Sequence, residues 1–519
     1  MSPQASNLAR LLTQTARRLP DATALIWRDQ HWSFSALDAR VDRAAAALRA
    51  LGVAKGERVL VHARNGNPMF ESMWACWKLG AVWVPTNFRL TPAEVAWLGA
   101  SSRATVMLRD SGFAAHANAV RAASPALRHV IAVGDARPDE LDYESWLVAA
   151  TPPPPDHEAA VAPDDPCWFF YTSGTTGRPK AAVLTHGQMG FVVTNHLADL
   201  LPGTTERDAS LVVAPLSHGA GIHALTQVAR GAASILLSGD RLDAAEAWAL
   251  VARHRVTNMF TVPTILTALV RDPAVDRHDH ASLRHVIYAG APMARADQQE
   301  ALHKLGPCLV QYFGLGEVTG AITVLRADQH SEANLGTCGV PRTGMEVAIL
   351  DAAGTRLPPG EIGEICVRGP AVFAGYFEND AANARAFAGG WFHTGDLGFL
   401  DARGFLTITG RGSDMYISGG SNVYPREVEE AILTLPGVAE CAVVGLPHPK
   451  WGEAGVACLV PREGAPLTEA LVLAHLAPRI ARYKQPLRVV VWDALPKSGY
   501  GKVPKALLRA RLAEEGIGF

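Results

Sequence analysis

The sequence predicts an α/β protein whose sheets contain mainly parallel strands. Apolar, strand-like segments alternate with helix-like segments along most of the 519 residues. The run at 58–62, for example, precedes a helical pattern at 69–79 and a second strand-like segment at 81–85. This alternation is typical of strands joined by helical crossovers, so we expect layered sheets covered by helices. The length suggests about three or four structural units.

Two segments predict where these units meet. The proline-rich stretch at 151–165 is expected to be an exposed linker between two units, or else a surface loop. A strand-like segment at 405–409 is followed by polar residues at 411–413, and the chain beyond has strand and helix patterns of its own. We therefore predict an N-terminal domain of residues 1–411 and a C-terminal domain of residues 412–519, with a hinge between them.

Composition excludes several classes of protein. The chain is 48% apolar and 19% charged with a net charge of -2, which describes a globular enzyme rather than a nucleic-acid binder. The seven cysteines are scattered without a C-x-x-C pair, which favours reduced thiols. Leucines near the N-terminus recur at helical spacing, unlike a signal peptide, and no apolar run reaches the roughly 20 residues of a membrane span. We expect a cytoplasmic monomer or homodimer.

A short aromatic strand at 168–171 runs directly into a loop of hydroxyl residues, glycines and one lysine. Glycines let backbone N–H groups approach an anion, hydroxyls add donors, and the lysine adds positive charge. The spacing is not that of a Walker loop, and composition alone fits a flexible turn equally well. The candidate phosphate-binding residues are Thr172, Ser173, Gly174, Thr175, Thr176, Gly177 and Lys180.

As an ordered string, residues 171–180 resemble the phosphate-binding signature of the adenylate-forming superfamily of acyl-CoA synthetases, peptide adenylation domains and firefly luciferases. Further motifs of this superfamily follow in the expected order at 215–218, 288–292, 311–317, 391–398, 411–425 and 496–502. The resemblance covers essentially the whole chain. It implies a large N-terminal domain of several subdomains, one of them small and β-barrel-like, and a small mobile α+β C-terminal domain.

The resemblance also implies which residues bind ATP and magnesium. Asp396 and Arg411 match residues that contact the ribose, and Glu317 matches the carboxylate that coordinates Mg²⁺. Phe313 stands where the family commonly has a tyrosine that stacks on adenine, and Tyr312 is the alternative ring. The remaining nucleotide candidates are Gly290, Ala291, Pro292, Gln311 and Gly314.

The C-terminal motifs carry the expected catalytic lysine of the mobile C-terminal domain. Lys502 resembles the mobile lysine that contacts both the carboxylate and the α-phosphate, with Lys497 and Lys505 as neighbouring alternatives. Gly419 and Gly420 match the segment that lines the pantetheine tunnel of coenzyme A after the C-terminal domain rotates. Thr172, His218 and Glu317 complete the predicted catalytic set.

Two positions depart from the family pattern. Gly316 stands where the family usually has a threonine that donates to the α-phosphate, and Thr319 is a possible substitute for that hydroxyl. Ser413 stands at the hinge position, which is usually aspartate or lysine. The first departure concerns phosphate binding and the second concerns how the domain rotation is controlled.

The resemblance implies an ATP-dependent, AMP-forming acid–thiol ligase that makes an acyl-adenylate and transfers the acyl group to coenzyme A. The alternatives are a stand-alone adenylating enzyme that loads a carrier protein, a dicarboxylate–CoA ligase, a luciferase-like oxygenase and a non-catalytic nucleotide sensor. An amino-acid adenylation enzyme would carry an aspartate in the motif where this chain has Ser217 and His218.

Three segments are placed near the acyl group by the resemblance, at 189–193, 218–222 and 260–262. They are mostly apolar and contain no arginine or lysine, so a second carboxylate would be buried without a cation. We therefore expect a medium-chain or aromatic monocarboxylic acid, unless a protonated His218 or His223 holds a second anion. The predicted substrate residues are Phe191, His218, Gly219, Phe260 and Gly314.

Overall fold

The structure is a computed structural model that describes residues 6–151, 153–154, 157–172, 178–418, 421–497 and 503–519. Within these ranges, no helix combines the length and the apolar character needed to cross a membrane. Helices and strands alternate along the N-terminal three quarters of the chain, as predicted.

The α-helices are numbered in chain order. They are α1 (Arg10–Arg18), α2 (Phe34–Ala50), α3 (Asn67–Lys78), α4 (Pro92–Ser102), α5 (Ala114–Ala123), α6 (Tyr143–Ala149), α7 (His186–Asp199), α8 (Gly219–Arg230), α9 (Ala244–His254), α10 (Pro263–Arg271), α11 (Arg295–Leu305), α12 (Asp380–Ala386), α13 (Pro425–Leu433), α14 (Glu469–Leu476) and α15 (Lys505–Glu514).

The strands are numbered in the same way. They are β1 (Thr23–Trp27), β2 (Gln30–Ser33), β3 (Arg58–His62), β4 (Val82–Pro85), β5 (Val106–Arg109), β6 (His129–Ala132), β7 (Leu141–Asp142), β8 (Pro166–Thr172), β9 (Lys180–Thr185), β10 (Ala209–Val212), β11 (Ala233–Leu236), β12 (Asn258–Thr261), β13 (His285–Tyr288), β14 (Leu309–Phe313), β15 (Thr323–Leu325), β16 (Val340–Pro341), β17 (Glu346–Leu350), β18 (Gly363–Arg368), β19 (Phe392–Leu400), β20 (Leu406–Arg411), β21 (Tyr416–Ser418), β22 (Ser421–Val423), β23 (Val438–His448), β24 (Gly452–Pro461) and β25 (Arg488–Val491).

The first sheet has seven strands in the order β7-β6-β5-β3-β4-β8-β9. Its strands are parallel except for β9, which returns antiparallel to β8 as a hairpin. The proline-rich segment at 151–165 connects α6 to β8, and β8 pairs with β4 of the same sheet. The segment is therefore a connection within one sheet and not a linker between two α/β units, because the strands on both sides of it share one hydrogen-bonded ladder.

The second sheet has nine strands in the order β16-β15-β14-β13-β12-β10-β11-β1-β2. The strands from β14 to β1 are parallel, and antiparallel strands stand at both edges. Every residue of β10 and of β12 is buried, as expected of parallel strands covered on both faces. Loops at the carboxyl ends of such strands are the usual place for a ligand site.

The part predicted to be barrel-like is a four-stranded antiparallel sheet in the order β17-β18-β19-β20. The last two strands of this sheet place Asp396 directly opposite Arg411. Both ribose candidates therefore lie on one ladder, and the chain leaves this sheet immediately before residue 412.

Residues beyond 412 form a separate five-stranded sheet, β22-β21-β24-β23 with β25 added beside β24. One face packs on α13 and α14 around Tyr416, Val428 and Leu476. The other face packs on α15 around Trp492 and Leu508. Both apolar clusters draw their described members only from residues 416–517, which gives this part of the chain the α+β character that was predicted.

A row of aromatic side chains runs from α3 across β4 to β8, the strand that precedes the predicted phosphate-binding loop. The ring centroids of Trp74 and Trp77 lie 5.5 Å apart, those of Trp77 and Trp83 lie 6.5 Å apart, and those of Trp83 and Trp168 lie 4.6 Å apart. The row ends at Phe170, 5.7 Å from Trp168. All four tryptophans are fully buried, so the strand that carries the loop rests on a rigid aromatic core.

Candidate active site

The hairpin of β8 and β9 positions the phosphate-binding candidates. Thr172 at the end of β8 pairs with Lys180 at the start of β9. The hairpin therefore holds both ends of the predicted loop side by side. The loop residues Ser173, Gly174, Thr175, Thr176 and Gly177 lie outside the described residues.

Glu317 connects this hairpin to the second sheet. The Thr172 hydroxyl donates a hydrogen bond of 2.9 Å to Glu317 Oε1, and the Tyr376 hydroxyl donates to the same oxygen, also at 2.9 Å. Burial and the neighbouring Glu317 carboxylate raise the pKa of Tyr376, so it stays protonated and donates. Lys180 Nζ lies 5.1 Å from the centre of the Tyr376 ring. The predicted Thr172, Lys180 and Glu317 thus meet at one place.

The other oxygen of this carboxylate, Glu317 Oε2, accepts no hydrogen bond from the described residues. The side chain is nonetheless buried. A carboxylate oxygen that accepts nothing from the protein can accept a donor or a cation from a bound ligand. This oxygen therefore fits a ligand that the site would bind.

The departure at Gly316 has a steric reason. A Cβ placed on Gly316 would lie 2.6 Å from Phe170 Cδ1 and 3.0 Å from Thr172 Cγ2. The Phe170 ring and the Thr172 methyl group fill the space that a threonine side chain would need. Thr319 is buried with φ at +49°, and its hydroxyl has no partner among the described residues, so its role as a substitute donor stays a prediction.

The ribose candidates lie on the third sheet as a pair. Arg411 Nε donates a 3.1 Å hydrogen bond to Asp396 Oδ1, and Asp396 is buried while Arg411 is about half exposed. The backbone N–H of Asp396 donates to Thr394 Oγ1. Arg411 thus holds one oxygen of the Asp396 carboxylate, and ribose binding by this pair stays a prediction.

The adenine candidates lie on β13 and β14 or just beyond them. Gly290, Ala291 and Pro292 form an exposed turn directly after β13, with Gly290 at φ +84°, and Gln311 lies on the neighbouring β14. Successive residues of a strand point to opposite faces. Tyr312 is buried beside Phe260, with ring centroids 6.0 Å apart, while Phe313 is half-buried. Of the two rings, Phe313 therefore stays the candidate for adenine stacking.

The acyl candidates gather at the start of α8. His218 is the N-cap residue of α8, its Nδ1 lies 2.9 Å from Ser217 Oγ, and its ring stands edge-on to Phe170 at 5.3 Å. A Cβ on Gly219 would lie 2.6 Å from Phe260 Cζ. The absence of a side chain at Gly219 thus allows the Phe260 ring to approach the helix terminus.

Two further substrate candidates have separate surroundings. A Cβ on Gly314 would lie 2.4 Å from Gly320 Cα, so this glycine permits close backbone approach. Phe191 lies on α7, where its ring packs against Gly344. The contribution of Phe191 to the acyl site stays a prediction.

Sequence reasoning named His223 but missed the cluster of polar residues beside it, Arg342, His196 and Asp199. Arg342 is 1% exposed, its Nη2 lies 3.2 Å from His196 Nδ1, and its Nε lies 3.5 Å from Asp199. His223 stacks on Phe260 at 4.7 Å and lies 4.8 Å from His196. Burial, with a smaller effect of Arg342, lowers the pKa of His223 to about 3.

This cluster corrects part of the argument about substrate charge. The three acyl segments contain no arginine, but Arg342 enters from a fourth segment more than 140 residues away from His196 in sequence. Asp199 partly balances its charge. His223 is neutral near pH 7, so it does not act as the cation for a second anion.

The C-terminal candidates are described only in part, because Lys502, Gly419 and Gly420 lie outside the described residues. Of the alternative lysines, Lys497 pairs with Glu440 at 2.8 Å, and Lys505 pairs with Glu429. Both cations are therefore engaged within the C-terminal part of the chain. Ser413 is exposed in the turn that follows β20.

Two family models match this sequence. The model of the AMP-binding enzyme covers residues 12–377, and the model of the AMP-binding enzyme C-terminal domain covers residues 427–502. The chain belongs to the AMP-binding enzyme family. The predicted membership of the adenylate-forming superfamily is therefore confirmed.

Similar proteins place this AMP-binding enzyme among the acid–CoA ligases. A feruloyl-CoA synthase from an Amycolatopsis species is 38% identical over 96% of this chain and 97% of its own. An indoleacetate–CoA ligase from Aromatoleum aromaticum is 35% identical over 96% of both chains. The solved structure of an anthranilate CoA ligase with anthranoyl-AMP has a TM-score of 0.90 at 27% identity and covers 99% of both chains. The predicted fold and enzyme class are confirmed at this level.

Proposed function

We propose that this enzyme activates an aromatic monocarboxylic acid with ATP and transfers the acyl group to coenzyme A. The observation that carries the choice of acid is a wall of flat rings. Phe260 lies nearly parallel to both His223 and Tyr312, with 18° between ring planes in each pair. A planar acyl group can stack along such a wall and bury its apolar surface there. Two relatives are named for ferulate and indoleacetate, which are aromatic acids, while others are named as fatty-acid–CoA ligases.

The first step joins the acid to the nucleotide. A carboxylate oxygen of the acid attacks the α-phosphorus of ATP, the new P–O bond forms, and the bond to pyrophosphate breaks. We propose that Lys180, Thr172 and the loop at 173–177 bind the phosphates, and that Asp396 and Arg411 hold the ribose. Lys502 would approach from the C-terminal domain and offset the negative charge that accumulates in the transition state.

Glu317 is the proposed magnesium ligand. Its Oε1 accepts two hydrogen bonds, and its Oε2 accepts none from the described residues. A carboxylate oxygen without a protein donor suits a hard divalent cation, which prefers oxygen ligands. When bound, Mg²⁺ would neutralise phosphate charge. The protein's own part is to hold the carboxylate in place through Thr172 and Tyr376.

The second step transfers the acyl group to a thiol. The coenzyme A sulfur attacks the acyl carbon, the C–S bond forms, and AMP leaves with the electrons of the broken C–O bond. We propose that residues 412–519 form a mobile domain that rotates about the segment at 411–413, withdraws Lys502 and presents Gly419 and Gly420 to the pantetheine arm. All seven cysteines are free thiols, which fits work in the reducing cytoplasm.

Pyrophosphate release across a panel of acids tests this function. Cinnamate, benzoate, octanoate, malonate and several amino acids are compared with and without coenzyme A. We expect the aromatic acids to give the highest kcat/KM. Glu317→Gln should be slower on the order of a hundredfold or more, and the exposed Glu361→Gln, its matched control, should be unaffected.

Other results in this assay contradict the proposal in specific ways. A clear preference for malonate or an amino acid would overturn the choice of acid. Adenylation that coenzyme A cannot discharge, but that a carrier protein can, would make the enzyme a carrier-loading ligase. Absence of pyrophosphate release with every acid would point to a nucleotide sensor.

A further inference from the structure

Three side chains of the types that bind transition metals meet on the four-stranded sheet, close in sequence to Asp396. Glu364 and Cys366 lie two residues apart on β18, and His393 of β19 pairs directly with Cys366. His393 Nδ1 lies 2.8 Å from Glu364 Oε2 and 3.5 Å from Cys366 Sγ. One possible ligand atom from each residue lies within 4.8 Å of the other two. We call these three residues the β18–β19 cluster.

A hydrogen bond at the far side of the His393 ring shows which ring nitrogen carries a proton. His393 Nε2 lies 3.0 Å from the backbone oxygen of Ala388, and a carbonyl oxygen can only accept. Nε2 therefore carries a hydrogen, and in the neutral ring the lone pair of Nδ1 faces the Glu364 carboxylate. Two acceptors at this distance repel each other, so the contact requires either a second ring proton or a metal ion.

The surroundings of the β18–β19 cluster favour the metal ion. A metal-binding histidine usually donates its other ring N–H to a group such as a backbone carbonyl, as His393 does to Ala388. A metal-binding carboxylate usually accepts a further hydrogen bond, and Glu364 Oε1 accepts one of 3.0 Å from the backbone N–H of Gly395. Backbone groups thus orient two of the three ligands. Cys366 adds a third ligand that a histidine–glutamate ion pair does not need.

Charge and ligand type restrict which ion the cluster can bind. A thiolate and a carboxylate together bring two negative charges. The arginines nearby, Arg356 and Arg368, lie over the ring of Trp391 and are both paired with Glu346. Their charges are therefore balanced outside the cluster. A set of sulfur, nitrogen and oxygen ligands suits Zn²⁺, whereas Mg²⁺ prefers oxygen alone.

The distances suit a tetrahedral ion. Zn²⁺ lies about 2.0–2.1 Å from nitrogen and about 2.3 Å from sulfur, so a nitrogen and a sulfur that share it are roughly 3.5 Å apart. The observed distance from His393 Nδ1 to Cys366 Sγ matches this value. The Glu364 oxygen must move away from Nδ1 by about half an ångström, and its side chain is 31% exposed. His393 is also partly exposed, so water can supply a fourth ligand.

We propose that Glu364, Cys366 and His393 form a binding site for a divalent transition metal ion, with Zn²⁺ as the expected ion. On binding, the S–H bond of Cys366 breaks, the sulfur binds the metal and the proton passes to solvent. The inference goes beyond the proposed function, because none of these residues has a part in adenylation or thioester formation. The ion would tie β18 to β19 just before Asp396, and it is separate from the Mg²⁺ assigned to Glu317.

Titration of the full-length, metal-free and reduced enzyme with Co²⁺ alone tests the inference. Charge transfer from thiolate to Co²⁺ gives a near-ultraviolet absorption band that carboxylate and imidazole ligands do not produce, so the band reports a cysteine ligand. The variants are Cys366→Ala, Glu364→Gln and His393→Gln. The matched controls are Cys76→Ala, which removes another fully buried free thiol, and the exposed Glu361→Gln.

We expect the wild type to bind a single Co²⁺ per chain with the thiolate band, and Zn²⁺ to displace it. Cys366→Ala should abolish the band. Glu364→Gln and His393→Gln should each raise the Kd for Co²⁺ by roughly tenfold or more, since even the loss of a residue that only orients a ligand commonly has such an effect. Both control variants should bind Co²⁺ as the wild type does.

Three results would overturn the inference. Absence of the band from the wild type would leave a histidine–glutamate ion pair only. A band that survives in Cys366→Ala would assign the metal to another cysteine, and an unchanged Kd in Glu364→Gln or His393→Gln would remove that residue from the site. Circular dichroism checks folding, and if Cys366→Ala does not fold, the other two variants decide, because their side chains are partly exposed. None of these measurements uses ATP or an acid, so failure of the proposed function would leave them unchanged.

Discussion

At the proposed phosphate site, the Phe170 side chain occupies the space that a side chain at Gly316 would need. The family pattern places a threonine at the glycine position, and here the Phe170 ring fills that space instead. Residues 170 and 172 lie on the same face of β8 because strand side chains alternate. The Phe170 ring stands edge-on to His218, and together with the Thr172 methyl group it fills the space beside Gly316.

Gly316→Thr is expected to lower the rate of adenylation and the stability together. The new Cβ would lie 2.6 Å from Phe170 Cδ1, and such overpacking costs about 1–3 kcal/mol in a dense core. Stability is measured by urea unfolding and adenylation by pyrophosphate release. The double variant Phe170→Ala with Gly316→Thr should recover most of the lost stability, and a strictly additive loss in the double variant would contradict the proposed exchange of volume.

Glu317→Gln tests the carboxylate at the centre of the site. The amide keeps the shape but loses the negative charge, so we expect adenylation to fall on the order of a hundredfold or more and its magnesium dependence to weaken. Tyr376→Phe removes one donor to the same oxygen and should cause a much smaller loss. An unchanged rate and magnesium dependence in Glu317→Gln would assign the ion to other residues.

Sequence reasoning identified some of these residues and missed others for a physical reason. Thr172, Lys180 and Glu317 belong to local motifs, and the structure brings them together. Phe170 could have been found from strand alternation. Tyr376 and Arg342 could not, because their partners Glu317 and His196 lie 59 and 146 residues away in sequence, and single side chains carry no signal of such distant contacts.

At the scale of elements, antiparallel pairs supply the site with residues in fixed register. The β8–β9 hairpin sets Thr172 opposite Lys180, and the β19–β20 pair sets Asp396 opposite Arg411. The strands themselves were predictable from apolar runs. Their pairing was not, since the partner and register of a strand depend on contacts across the whole sheet.

Asp396→Asn is expected to weaken nucleotide binding selectively. Loss of the charge removes the proposed acceptor for the ribose hydroxyls and weakens the pairing with Arg411, and hydrogen bonds to charged groups contribute about 1.5–3 kcal/mol. The KM for ATP should rise roughly tenfold or more, with little change in the KM for the acid. The exposed Asp21→Asn serves as control. An equal rise in both KM values would indicate a general distortion of the sheet.

At the scale of the whole molecule, buried neutral histidines make the fold sensitive to acid. Burial lowers the pKa of His62 and of His223 to about 3 each, with smaller effects of neighbouring cations, whereas the unfolded chain has ordinary values near 6.5. The unfolded state therefore binds more protons at any pH between these values. Stability is fully present above about pH 6.5 and falls as the pH is lowered toward 3.

When the pH falls from 7.5 to 5, each of these two histidines is expected to lower the free energy of unfolding by about 2 kcal/mol. Urea unfolding at the two pH values measures the loss. His223→Phe should unfold with a smaller pH dependence than the wild type, by roughly that amount. Identical pH dependence in both proteins would mean that folding does not lower the pKa of His223.

Lys502→Ala tests the proposed division of the chain into two domains. We expect loss of acyl-AMP formation with retention of thioester formation from supplied acyl-AMP, because the lysine would serve only the first step. Lys497→Ala is the control, since Lys497 is paired with Glu440. Equal loss in both half-reactions of Lys502→Ala would contradict the rotation of residues 412–519.

The aromatic row that ends at Phe170 gives the molecule a built-in optical reporter. Trp74, Trp77, Trp83 and Trp168 are buried in successive ring contacts, so their fluorescence is expected at short wavelength and excitation should migrate among them. The last indole touches Phe170, which touches His218 at the acyl site. We therefore expect the fluorescence of Trp168 to change when the adenylate forms and again when it is discharged. Stopped-flow fluorescence measures both changes without an attached dye.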